Sequence, residues 1–158
     1  MVKYIVSFIT GILITAIPCM LILNKYRKKI EMERSFSEKH LDMFFMMDQW
    51  VKKYQDGKKI EEYLCNKGIK VVAIYGMSYV GETLAAELRK TSISVAYGID
   101  GRKKGIYADF PIYRMEDKLE NVDAILVTAI SSYESIKENL SKKLSCEILS
   151  IEKIIYEL

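Results

Sequence analysis

The run VVAIYGMSYVGETLAAEL, residues 71–88, constrains the fold of this chain more than any other stretch. Val71–Tyr75 is a short, β-branched apolar run that stops at Gly76. It shows no polar alternation, so it reads as a strand buried on both faces, the signature of a parallel sheet. After the turn GMSYVG, Val80, Leu84, Ala85 and Leu88 recur at helical spacing. Strand, glycine turn and helix together predict a βα unit. The start of such a helix offers unpaired backbone N–H groups and a positive dipole end to an anion.

The remaining C-terminal residues repeat the pattern. SVAYGID reads as a second strand ending in an acid, and FPIY as a brief third strand after the loop GRKKGIYAD. MEDKLENV reads as a short helix, DAILVTA as a fourth strand, SYESIKENLSKKL as a helix, CEILS as a fifth strand and IEKIIYEL as a closing helix. Strands alternating with helices predict right-handed crossovers and a five-stranded parallel sheet in the order 3-2-1-4-5, one half of a Rossmann unit. Ligands of such sheets sit in the crevice beside strand 1.

This places the candidate site. Gly76 allows the tight strand-to-helix turn, and Gly81 allows helix and strand to approach closely. Met77 and Ser78 lie between them. Ser78 stands where a glycine would let a pyrophosphate approach the backbone, and its hydroxyl offers a hydrogen bond in exchange for that space. Asp100 ends strand 2, 24 residues after Gly76, where an acid meets ribose hydroxyls. Thr128 opens the hydroxyl-rich stretch after strand 4 that faces the same crevice, and Ser131 or Ser132 is expected to cap the next helix. Arg102, Lys103 and Lys104 follow Asp100, either as phosphate ligands or as a solvated loop.

The N-terminus carries a second signal. Tyr4–Leu23 is 20 residues without a charge, the length of a helix crossing the hydrocarbon core. Lys25, Arg27, Lys28 and Lys29 follow it, against Lys3 and the amino terminus before it, so the positive-inside rule puts the C-terminal side in the cytoplasm. Residues 1–29 hold five basic and no acidic residues; the rest hold 24 − 5 = 19 basic and 21 acidic. The basic character belongs to the anchor, and the domain is not expected to bind nucleic acid. The expected organisation is a transmembrane anchor over 1–24, a basic segment and helical neck over 25–68, and a Rossmann-like α/β domain over 69–158.

In the neck, Ser37 is a plausible N-cap for a helix running to residue 55. Its apolar residues, Leu41, Phe44, Phe45, Met47, Trp50, Val51 and Tyr54, either pack on the domain or bind a partner, a homodimer through 37–55 among the possibilities. Asp56-Gly57 breaks it, and Gly68 is expected to cap the short helix that follows.

Catalytic residues are not visible. Tyr-x-x-x-Lys, in which a lysine lowers a tyrosine pKa, occurs at Tyr133/Lys137 but also at Tyr54/Lys58 and Tyr63/Lys67, so it discriminates little. Three dispersed cysteines and the single histidine, His40, give no metal-ligand spacing or triad.

IYGMSYVGETLAAEL, VAYGID, DAILVTAI and EILSIEKII resemble the small Rossmann-like domain of bacterial surface-polysaccharide biosynthesis proteins, including the N-terminal domain of sugar acyltransferases. The resemblance covers roughly residues 55–158. It implies a nucleotide-sugar held with the glycine turn near phosphate and the strand-2 acid near the nucleoside, which implicates Gly76, Ser78, Gly81 and Asp100. The family turn usually reads Gly-x-Gly, and the acyltransferase catalytic β-helix has no counterpart here. The expectation is a membrane-anchored module, more a binding or regulatory unit than an enzyme on its own, beside a glycosyltransferase or polysaccharide-assembly partner. The alternatives are an NAD(P)-dependent oxidoreductase or epimerase-like enzyme, and an empty scaffold used for assembly.

Overall fold

The computed structural model describes residues 2–101 and 108–158, with side chains described from Cys19 onward. Arg102, Lys103 and Lys104 lie outside the described residues. The chain divides into two compact units, Met1–Leu41 and Asp42–Leu158.

The first unit is helical. Helix α1 runs over Val2–Gln55, so Ser37 lies inside a helix and caps nothing. The reason is local. Lys29–Glu33 and Arg34–Glu38 form ion pairs at i,i+4, and these support helix through the polar stretch before Ser37, where a new helix was expected to start. Among the described residues no helix is long and apolar enough to cross a membrane. Most side chains of the apolar run 4–23 lie outside that set. Within it, Met20, Leu21, Ile22 and Leu23 are each more than half exposed.

The second unit is α/β. After α1 come α2 (Ile60–Asn66), β1 (Val71–Tyr75), α3 (Tyr79–Leu88), β2 (Ser94–Ile99), β3 (Ile112–Tyr113), β4 (Ala124–Val127), α4 (Tyr133–Ser141), β5 (Glu147–Ser150) and α5 (Ile151–Glu157). The five strands form one parallel sheet in the order β3-β2-β1-β4-β5, as the sequence predicts, and the topology is Rossmann-like. Central β1 pairs with β2 and β4, with one register irregularity between Val72 and Ala73.

Strand periodicity sorts the core into two layers. Val72 and Ile74 of β1, with Ala124 and Leu126 of β4, face one side of the sheet, against α3 (Val80, Leu84, Leu88) and α5 (Ile151, Ile154, Ile155). Met46 and Trp50 of α1 join that layer, and Met43 and Met47 pack against it, so the methionine-rich face covers the domain. Ala73, Ile125 and Val127 face the other side with Tyr97 and the α4 residues Tyr133, Ile136 and Leu140.

The short elements end as their sequences dictate. Gly68, at φ +74, follows α2; its N–H donates to Cys65 O and that of Ile69 to Leu64 O, the two bonds of a Schellman motif. MEDKLENV does not form a helix. The N–H of Arg114 donates to the carboxylate of Asp117, and the N–H of Asp117 to Arg114 O, so a side chain captures the backbone in a turn before a helix begins.

Asp123 performs a similar task at the base of the sheet. One carboxylate oxygen accepts from the N–H groups of Lys70 (2.9 Å) and Val71 (2.8 Å), tying the approach to β4 to the start of β1. These backbone bonds hold the carboxyl below its ordinary pKa. A depressed folded-state pKa stabilises above the unfolded value and loses that contribution as pH falls through the folded one. Asp123→Ala is therefore expected to lower the melting temperature at neutral pH, with the gap to wild type closing below about pH 4. Thermal melts followed by circular dichroism at a series of pH values check this; a gap independent of pH contradicts it.

Candidate functional site

The C-terminal ends of β1, β2 and β4 bring Gly76, Asp100 and Thr128 together, as the sequence predicts for Rossmann-like topology. Gly76 has φ +93, a conformation that favours glycine. A Cβ there would lie 2.6 Å from Thr128 Oγ1. At Gly81 the constraint is steric alone: a Cβ would lie 2.1 Å from the carbonyl oxygen of Gly76. Helix α3 therefore rests directly on the turn, and the two glycines serve the roles their spacing indicates.

The residues between them divide their tasks. Met77 is 2 % exposed. Its side chain belongs to the core on the α3 face and occupies the space opposite Gly98, where a Cβ would stand 3.0 Å from Met77 Cγ. Only the Met77 backbone belongs to the site. Its N–H donates to Asp100 Oδ2 at 2.9 Å, so the acid at the end of β2 closes onto the turn after β1. Ser78 is the N-cap residue of α3, exposed, with extended backbone (φ −93, ψ −166). That conformation is open to any L-residue, so serine here carries no backbone strain. Its side chain makes no capping bond, and the first N–H groups of α3 have no acceptor within the helix.

Thr128 is not a surface hydroxyl. It is 5 % exposed, and its Oγ1 lies 2.6 Å from Gly76 O and 3.0 Å from Tyr75 O, donating into the turn from below. It positions the loop rather than offering itself to a ligand.

Tyr75, the last residue of β1, was not singled out by the sequence. It is half-buried, and burial, with Asp100 and Glu116 nearby, raises its phenol pKa. It stays a neutral hydrogen-bond donor at physiological pH. The only sequence cue is its place immediately before Gly76.

In two of the three Tyr-x-x-x-Lys pairs the tyrosine hydroxyl is engaged in a structural hydrogen bond. The Tyr133 hydroxyl is buried and donates to Ile148 O, and that of Tyr63 donates to Glu157. Ser132 occupies the N-cap position of α4, but its side chain makes no capping bond there. Among the described residues no group of three His, Cys, Asp or Glu is placed to hold a metal ion. No protein family, curated protein or solved structure matches this chain.

Two substitutions measure how tightly the turn is built. Thr128→Val removes the hydroxyl that serves the Gly76 carbonyl while keeping the side-chain shape, and is expected to cost about 1–3 kcal/mol in denaturant unfolding. Gly81→Ala pushes a methyl against backbone and is expected to cost as much or more, since overpacking against immobile atoms costs about 1–3 kcal/mol and occasionally exceeds it. Gly101→Ala, where an added Cβ meets nothing within 4 Å among the described residues, serves as the neutral control.

Proposed function

We propose that this chain is a membrane-anchored module that binds a nucleotide or nucleotide-sugar at the β1–β2–β4 crevice, as an accessory component of cell-surface polysaccharide biosynthesis. The observation that carries the binding reading is the meeting of three features at one point of the sheet. These are the positive-φ turn at Gly76, the Asp100 carboxylate held by the Met77 N–H, and the uncapped start of α3. An acid at the end of the second strand suits ribose hydroxyls. Uncapped N–H groups at a helix start suit phosphate. Ser78 favours this reading over an empty scaffold, because its side chain is exposed and caps nothing.

The polysaccharide context rests on the resemblance of residues 71–100 and 122–130 to the small domains described above. The anchor rests on the uncharged run Tyr4–Leu23 and the basic cluster after it, which orient the α/β domain to the cytoplasm. Exposed Met20–Leu23 support it, since a row of uncovered apolar side chains on one helix is stable in lipid. On α1 the exposed Phe44, Phe45 and Val51 lie away from the methionine face and support self-association or a partner enzyme.

Calorimetry on the full chain in nanodiscs, against UDP-sugars, CMP-sugars, NAD and NADP, tests the reading. A nucleotide-sugar is expected to bind and to raise the melting temperature by mass action. Asp100→Ala is expected to weaken that binding by about tenfold or more, or ~1.4 kcal/mol. Preference for a nicotinamide dinucleotide favours the oxidoreductase alternative. Absence of binding by every nucleotide at millimolar concentration sinks the binding reading and leaves the assembly scaffold.

A further inference from the structure

A second concavity lies away from the crevice, on the flank of α3. It is a half-open groove of about 400 Å³, within the range of small-molecule sites. Tyr54 at the end of α1 borders it, with Lys59 and Glu61 at the start of α2 and Thr83, Glu87 and Lys90 along α3. All belong to the second compact unit.

Its polar groups are fixed in an unusual way. Glu61 Oε1 accepts from the Ser92 N–H (2.7 Å) and hydroxyl (2.8 Å), and the backbone bond, then the hydroxyl bond, holds its carboxyl below the ordinary pKa. Glu87 Oε2 accepts from the Trp50 indole N–H at 2.8 Å. Each carboxylate is thus oriented by neutral donors through one oxygen, and the other oxygen remains as an acceptor. Neither Lys59 nor Lys90 forms an ion pair among the described residues. Two carboxylates and two ammoniums border one space without neutralising each other through direct contact.

We infer that this groove binds a neutral polyhydroxylated ligand, a sugar of pyranose size, independently of the nucleotide crevice. Formal charges of the four ionised groups sum to zero, so neither a net anion nor a net cation is favoured. The site instead offers strong donors and strong acceptors side by side. A sugar hydroxyl uses both, donating to a carboxylate while accepting from an ammonium. Tyr54, 63 % exposed, adds a flat apolar ring face for the C–H side of a pyranose and a hydroxyl at its edge.

Saturation-transfer NMR on the full chain tests this. Phospholipid nanodiscs avoid sugar-headed detergents. The probes are glucose and N-acetylglucosamine at millimolar concentration, with glutamate as a zwitterion and inorganic phosphate as an anion. Transfer to the ring protons of one or both sugars is expected. Tyr54→Ala, at an exposed position, is expected to weaken the affinity about tenfold, and Lys90→Ala to weaken it by a smaller factor. Asp100→Ala is expected to leave it unchanged, which separates this site from the crevice. The inference is overturned by transfer to neither sugar, by sugar binding insensitive to both groove substitutions, or by stronger binding of glutamate or phosphate than of either sugar.

Discussion

Helix α3 rests on the carbonyl of Gly76, the residue that follows β1. At Gly81 there is no room for a Cβ, because the Gly76 oxygen would stand 2.1 Å from it. That contact sets how closely α3 lies over β1, and with it the depth of the layer that buries Val80, Leu84 and Leu88 against Val72 and Ile74. It also sets where the start of α3 points. The apolar layer and the polar crevice therefore share one geometric cause. A methyl group at residue 81 displaces both.

Around that contact the turn is held at three points by atoms in or just after β2 and in the segment after β4. Thr128 of the segment after β4 donates into the Gly76 carbonyl from below. Asp100 after β2 accepts the Met77 N–H from the side. Met77 drives its own side chain into the core, where Gly98 of β2 leaves the space for it. Each hold spans more than twenty residues of sequence. The turn's conformation is thus fixed by contacts distant in sequence, and under the proposed binding reading a ligand would meet a turn already ordered by folding.

Much of this was legible in the sequence, and the failures have physical reasons. A buried parallel sheet leaves continuous apolar runs, and glycines mark the turns that need them, so strand order, the roles of Gly76 and Gly81, and the Gly68 cap follow from pattern. The segment MEDKLENV misled because its composition suits a helix, while the outcome was decided by one side chain, Asp117, reaching the backbone of Arg114. Ser37 misled in the opposite sense. A good capping residue is only a cap where the helix lacks support upstream, and here i,i+4 ion pairs carry the helix past it. Met77 after β1 and Thr128 after β4 were each placed at the strand end they occupy, yet the side on which each side chain lies is a matter of packing that spacing cannot encode.

Ser78 illustrates the difference between a motif and its mechanism. Glycine in the middle of such a turn can be required for two reasons, a positive φ or lack of space. The backbone at Ser78 is extended with negative φ, so the first reason is absent. Its side chain is exposed, so the second does not operate within the fold itself and applies only to a ligand lying against that backbone. Serine at this position therefore leaves the domain intact, and under the proposed nucleotide reading it would act only on the approach of a ligand: a pyrophosphate pressed onto the turn would lose room, while a phosphate one hydroxyl further out would gain a donor. Departure from the motif thus bears on how close a ligand could come to the turn, a property distinct from whether the fold forms.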